Sequence, residues 1–314
     1  MAGLATHAGA DWYKQSLDVM GTRVNVELWH SDPRQAERCT DRVFAEMQRI
    51  DRLMSPYKEN SEVSRINRLA ATEAVKVSAE LFSLLQKSIA FSELSNGAFD
   101  ISFASVGYYY DYRKKQQPSA QTIQQQLPAI NYKNLLLQQQ TVRFAKPGMR
   151  IDLGGIAKGY AVDRSILLLQ QCGIQQALVS AGGDSRILGD HQGRPWMIGI
   201  QHPRQEQQIA LSIPLSDSAI STSGDYERYF LSGNERIHHI INPKTGTSAH
   251  TAWSASVMGP DATTTDALST TLFILGPEQG LKLINALDEI EAVIIDANGV
   301  VHYSSGLIDP ASPG

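Results

Sequence analysis

Four segments of this 314-residue chain set glycine beside a polar or ionisable residue at the end of an apolar run. They are Gly97-Ala98-Phe99-Asp100, Asp152-Leu153-Gly154-Gly155, Gly182-Gly183-Asp184 and Thr222-Ser223-Gly224-Asp225. Glycine at such a place permits positive φ and lets a ligand approach backbone amides, which can hold anionic oxygens. For any single pair an ordinary turn is the commoner explanation. Four in one chain point to a polyanionic ligand. The stretch Gly154-Gly155-Ile156-Ala157-Lys158-Gly159 has the spacing of neither GxxxxGKS/T nor GxGxxG, which excludes the two standard nucleotide loops. Lys158 falls in the first turn of a helix beside amides suited to phosphate. A solvated helix lysine explains it equally well.

Asp266 and Thr270 stand four residues apart in ATTTDALSTTLF and share one helix face. A carboxylate, a hydroxyl and a backbone carbonyl make an oxygen-only set suited to Mg²⁺, which completes its shell with water and substrate phosphate. The competing reading makes Asp266 a charge at a helix start. No His/Cys cluster has zinc spacing, and His238 and His239, being adjacent, point to different sides. A histidine near the mouth of a sheet can serve as a general base, although a lone strand histidine is more often structural.

The elements that position these groups follow from periodicity and caps. A strand is expected over 17–29, entered through Met20-Gly21-Thr22, then a helix over about 34–54 with Val43, Met47, Ile50 and Met54 on one stripe. A polar connection follows from 55 to 67, then a helix over about 79–95 that stops at Asn96-Gly97. The glutamine-rich stretch 113–140 reads as a solvated turn and edge-strand region. Ile151-Asp152-Leu153 ends a strand, a helix runs from about 157 to 171, and short strands cover 177–180, 196–200, 209–215 and the start of 219–230. Helices over about 263–274 and 277–287 precede a hairpin turned at Asn298-Gly299. Hairpins mixed with strand-helix units argue for an α+β fold around a mixed, largely antiparallel sheet with flanking helices.

Composition narrows the function. The formal charge is −4, from 28 basic and 32 acidic residues, without the clustered Lys/Arg face that nucleic-acid binding wants. No apolar run approaches the length of a membrane span. Cys39 and Cys172 are too few for a disulfide scaffold, and neither lies in a CxxC. The amino-terminal MAGLATHAGADWYKQ has neither a basic nor an apolar signal region. A cytoplasmic protein and the mature part of an exported one are both compatible with it.

Taken in order, eight pieces of the chain resemble the ApbE family, the FAD:protein FMN transferases. These are MGT at 20–22, DRLMSPY at 51–57, GAFD at 97–100, IDLGGIAKGYAVD at 151–163, AGGD at 181–184, STSGDYERYF at 221–230, HHIINPKTG at 238–246 and TDALSTTLFILG at 265–276. The resemblance implies an ApbE-like, T-fold-related architecture: an extension at 1–16, a single FAD-binding catalytic domain over 17–308, optionally in two lobes with FAD between them, and a tail at 309–314. It also implies Mg²⁺-dependent transfer of the FMN half of FAD to a threonine of an acceptor protein, with release of AMP. The expected acceptors are Nqr- or Rnf-type redox subunits.

Carried over by position, Met20, Tyr57, Ala98, Phe99 and Asp100 are expected as flavin and adenosine contacts, with Asp152, Lys158 and Ile240 as further FAD positions. Gly155, Asp266 and Thr270 are expected to hold Mg²⁺. His239 is expected to take the acceptor threonine's proton. Lys158 departs from members with an acidic residue there, and Asn242 replaces the aspartate common before Pro-Lys-Thr-Gly. Family members are often exported and lipid-anchored, so the resemblance points to a periplasmic location, with a cytoplasmic one as the alternative. Two other activities suit the same residues: an FAD pyrophosphatase giving FMN and AMP, and a flavin-binding protein without turnover.

Overall fold

A computed structural model describes residues 11–205, 207–233 and 235–307. β1 (Asp11–Val19) and β2 (Thr22–His30) pair antiparallel from Asp11 opposite His30 to Val19 opposite Thr22. Met20 and Gly21 make the turn with φ of 56° and 71°, the two positive values a type I′ hairpin demands. The sequence pattern predicts one strand over 17–29; the structure instead has two, the first starting at Asp11. The turn is hidden because methionine, not Asn or Asp, holds its first left-handed position. β1 is hidden because it is an outer strand with little buried surface and so shows little alternation. The tail at 309–314 lies outside the described residues.

α1 (Pro33–Met54) is capped by Asp32, whose side chain accepts from Arg34 N–H, and buries Ala36, Cys39, Val43, Met47, Ile50 and Met54 at three- and four-residue steps. α2 (Glu62–Leu69) overlaps the expected polar connection. Its cap is Ser61, and it buries Val63 and Ile66, too short a stripe to betray a helix. β3 (Val75–Lys76), α3 (Ala79–Leu94), α4 (Ala104–Gly107), α5 (Ala120–Gln126), β4 (Leu135–Gln138) and β5 (Thr141–Phe144) follow. The order β3-β5-β4 makes a small antiparallel sheet. The glutamine-rich stretch thus supplies an outer strand and a helix with no buried residue. Residues 151–153 form an irregular segment rather than a strand end: Asn67 Oδ1 accepts from Ile151 N–H (2.8 Å) and Asn67 Nδ2 donates to its carbonyl (2.9 Å).

The remaining elements are α6 (Ala157–Gln171), β6 (Ala177–Ala181), β7 (Asp184–Leu188), β8 (Trp196–Gln201), β9 (Ile209–Leu215), β10 (Ala219–Gly224), β11 (Tyr229–Ser232), β12 (Glu235–His238), β13 (Ala252–Gly259), α7 (Ala262–Ile284), β14 (Glu291–Asp296) and β15 (Val301–Tyr303). Among the described residues the main sheet has eight strands in the order β1-β2-β6-β7-β10-β13-β14-β15. Every neighbouring pair in it is antiparallel. α7 is broken at Gly276 (φ 75°) before Pro277, matching the two helices expected there.

Alternation along the strands gives the sheet two covered faces. Ala219, Val257 and Ala292 join the large core beneath α1, α6 and α7. Ile220, Met258 and Val293, each one residue on, meet Ile198, Leu211 and Ile213 of the β8–β9 hairpin. That burial on both sides fixes the register of β10 and β13 and, through them, the seat of α7. Among the described residues no helix is long and apolar enough to cross a membrane.

Candidate active site

The polar side chains converge where α6 crosses α7. Gly159 makes the crossing possible, because a Cβ there would lie 2.0 Å from the Ala262 carbonyl oxygen and 2.8 Å from Asp266 Cβ. At that contact Gly159 N–H donates to Asp266 Oδ2 (2.9 Å). The start of α7 is fixed by two aspartates. Asp261 is the N-cap, accepting from Thr264 N–H (2.8 Å). Asp163 of α6 accepts from Ala262 N–H and Thr263 N–H (both 2.8 Å) and from Arg186 (2.7 Å). Those are the donors a helix N-terminus leaves unpaired. Asp266 is therefore not a cap but a buried carboxylate inside the helix, and its alternative reading falls away.

Asp266 has a second partner. Lys158, in the first turn of α6, donates to Asp184 Oδ2 (2.5 Å) and approaches Asp266 Oδ1 at 3.3 Å. Asp184 is 1% exposed and Asp266 2%. Two buried carboxylates thus share one ammonium, which leaves one negative charge in excess whenever both are ionised. Burial, and then Asp184, push the Asp266 carboxyl above the usual carboxylate range. Burial alone would lower the Lys158 pKa, but Asp184 and then Asp266 outweigh it and hold the amine protonated.

Thr270 lies one turn along α7 and completes the cluster. Its hydroxyl is 3.2 Å from Ser223 Oγ on β10, and a Cβ on Gly155 would sit 3.1 Å from Thr270 Oγ1 and 3.3 Å from Phe99 Cε2. Glycine at 155 thus lets the backbone approach Thr270, with Phe99 as the wall behind. Phe99 packs edge-on against Phe91 with centroids 6.1 Å apart. Among the described residues no three His, Cys, Asp or Glu side chains form a metal-binding group. A cation here would draw on mixed oxygen donors: the Asp266 carboxylate, the Thr270 hydroxyl and the Gly155 backbone. The raised Asp266 carboxyl fits that role, since a buried carboxylate with only a shared ammonium carries its charge at a cost that a bound cation would relieve.

Around this cluster lies a more open rim. Asp152 is half-buried, with Oδ1 accepting from Gly154 N–H (2.7 Å), and burial raises its pKa. Tyr57 is 85% exposed. Arg228, between β10 and β11, extends to the Gly21 carbonyl (3.1 Å) and so ties that loop to the β1–β2 turn. A cavity of about 460 Å³ lies against this turn, lined by Met20, Thr22 and Asp51 among others. It brings the first two sequence pieces together.

The two histidines separate as expected. His238 is buried, with Nε2 2.6 Å from the Ala249 carbonyl and its ring edge-on to Phe273, which makes it structural. His239 leaves the strand beside Arg228, whose carbonyl accepts its N–H (3.1 Å). Its Nδ1 is buried and has no hydrogen-bond partner among the described residues. Burial, then Arg228, His238 and Lys158, push its pKa down to about 3, so the ring is neutral at physiological pH.

Besides Phe99, three more expected FAD positions are buried. Asp100 is 6% exposed, with Oδ1 accepting from Ser102 N–H (2.8 Å) and Oδ2 from Tyr132 N–H (2.8 Å). Its acceptors, expected for the ligand, already hold the 101–103 turn in place. Ala98 and Ile240 are buried in the core. Asn242 keeps the turn that an aspartate would make, its Oδ1 accepting from Lys244 N–H (2.9 Å). Sequence reasoning gave no individual role to Arg228, Asp163, Asp184 or Ser223, although the last two stand in the glycine segments that point to a polyanion. Each lies inside a quoted motif, which was an available signal, but their partners are remote in sequence.

Comparisons with known proteins place nearly the whole chain in one family. The family model described as ApbE family matches residues 20–294. The FAD:protein FMN transferase of Treponema pallidum is 30% identical over 318 aligned residues, covering 95% of this chain and 88% of that protein. The ApbE protein of Thermotoga maritima superposes with a TM-score of 0.87 at 34% identity, covering 94% of this chain and 98% of that one. The flavin transferase ApbE of Vibrio cholerae does so with 0.84 at 27% identity, over 95% and 98%.

Proposed function

The chain belongs to the ApbE family, and from that premise we propose that it is a Mg²⁺-dependent FAD:protein FMN transferase. In this reading it moves the FMN half of FAD onto a threonine hydroxyl of an acceptor protein and releases AMP. The acceptor class we propose is a redox subunit of the Nqr or Rnf kind. The observation that carries the reading is the pair of buried carboxylates, Asp184 and Asp266, sharing a single ammonium beside Thr270 and Gly155.

Phosphoryl transfer asks a protein to neutralise the diphosphate, align the nucleophile and hold the leaving group. Mg²⁺ at Asp266, Thr270 and Gly155 would supply Lewis-acid neutralisation of the diphosphate oxygens. Lys158 adds a fixed positive charge at the same place, and its field reaches both Asp152 and His239. Arg228 offers further donors at the rim, in the planar fork that suits phosphate. His239, neutral and beside Arg228, accepts the proton of the threonine hydroxyl as the Oγ–P bond forms. The P–O bond to AMP breaks in the same displacement, and the phosphate of AMP carries off the electron pair.

The test is direct. Incubate the protein with FAD, Mg²⁺ and an acceptor bearing a surface threonine motif, then follow AMP and the acceptor's mass. An FMN adduct on threonine, formed together with AMP, is the expected result. AMP with free FMN would make the protein a pyrophosphatase, and FAD binding without AMP would leave it a flavin carrier.

A further inference from the structure

The two cysteines, far apart in sequence, meet where α1 packs on the carboxyl end of α6. Cys39 is fully buried on α1, while Cys172, the C-cap of α6, is half-exposed. Their juxtaposition follows from two hydrogen bonds. Gln35 Nε2 donates to the Cys172 carbonyl (3.5 Å), and Arg42 Nη1 lies 3.3 Å from Cys172 Sγ. Gln35, Cys39 and Arg42 are spaced four and three residues apart, so they form one ridge of α1 with Cys39 at its middle. A residue that touches both ends of that ridge sits over its centre. Burial, and then the adjacent Cys172, push the Cys39 thiol up to about 12. The remaining described cysteine count is nil, so these thiols have each other and no rival.

We propose that Cys39 and Cys172 are a redox-active pair that closes an intramolecular disulfide when a small-molecule or protein disulfide serves as oxidant. The accessible Cys172 thiolate attacks the oxidant RSSR, forming a Cys172–S–S–R mixed disulfide and expelling the first RS⁻. Cys39 then loses its proton and attacks the Cys172 sulfur, forming the Cys39–Cys172 bond and expelling the second RS⁻. Two protein thiols are oxidised by two electrons, one disulfide is reduced, and both protons leave as RSH. The first step removes the Cys172 thiol that helps hold the Cys39 proton in place, which favours the second. Once formed, a bond that closes a loop of about 130 residues would stabilise the fold by constraining the unfolded chain, on the chain-entropy account. The product fastens the far end of α6, whose near end carries Lys158 and Gly159, to α1.

The intact protein, with its native cysteines, is incubated with oxidised glutathione, then denatured, alkylated and analysed by mass spectrometry with and without reductant. The expected result is loss of both alkylatable thiols, a mass about 2 Da below the reduced chain, and a peptide joining Cys39 to Cys172. In Cys39→Ser the glutathione adduct on Cys172 should persist, whereas the wild type should expel it. Retention of that adduct by the wild type with Cys39 still alkylatable would overturn the proposal. So would two free thiols after oxidation, or disulfide-linked dimers in place of the internal bond.

Discussion

At the crossing of α6 and α7, Asp184 and Asp266 are sealed from solvent and Gly159 admits no side chain. At the rim, Tyr57 stands free and Arg228 reaches Gly21 through one hydrogen bond. The inner region is organised before any ligand arrives, because moving a carboxylate would leave a charge buried without a partner. The rim carries no such constraint and can adjust as a ligand docks. The contrast assigns the invariant demand of the chemistry, holding charge at a fixed place, to the interior. It leaves recognition of variable shapes to the surface.

Substitutions can break that contrast in graded steps. Asp266→Ala should cost the most activity, on the order of 10³-fold or more in turnover, because it removes the carboxylate that charge neutralisation depends on. Its thermal stability should nonetheless fall less than that of Lys158→Met, since Lys158 keeps Asp184. A steady-state rate near wild type would remove Asp266 from the metal role. His239→Ala should slow transfer by about 10²–10⁴-fold with little change in FAD affinity; single-turnover FMN transfer and a separate FAD titration distinguish the two effects. Lys158→Met should destabilise the fold by about 3–5 kcal/mol, having left two carboxylates facing each other. Added Mg²⁺ should then raise its melting temperature more than it raises that of the wild type, and an equal rise in both would sink the charge argument.

The pH dependence is smaller, and the buried histidines and the buried Asp266 carboxyl pull it in opposite directions. His238 and His239 both fall below their ordinary value of 6.5, to about 4 and about 3 through burial. The unfolded chain therefore takes up protons first. Their stabilisation is complete above about pH 6.5 and is lost as pH falls through the folded values. The raised Asp266 carboxyl works the other way, adding stability as pH falls from 7, so the histidine part is read as a difference: between pH 7 and pH 5 the denaturant midpoint of His238→Gln should fall less, or rise more, than that of the wild type. Smallest of all, Tyr57→Ala should leave stability within about 0.5 kcal/mol and raise the KM for FAD only a few-fold. A collapse of the fold on that change would erase the distinction between interior and rim.

The same contrast explains what the sequence disclosed. Helices over 33–54, 79–94 and 157–171 lie within a residue or two of their expected bounds because each carries its own cap or buried stripe. Asp266 and Thr270 were legible as a pair because they share a helix face, and His238 and His239 because neighbours must diverge. What escaped was set by distant partners. Asp184 matters only through Lys158, 26 positions earlier, and Arg228 through Gly21, 207 positions away. Asp100 shows the converse: its motif stood out, but the turn at Ser102 and the backbone of Tyr132 claim its oxygens. β1 escaped for lack of burial, and the Met20 turn for want of a familiar turn residue.

Backbone meeting backbone at Gly159 means that α6 and α7 are spaced by a hard stop, not by a cushion of compressible side chains. Exchanges among the leucines, isoleucines and valines elsewhere in the interior can alter how the helices fill their surroundings without altering that gap. Lineages can therefore rework most of the hydrophobic inventory while the separation of ammonium from carboxylate stays where it was.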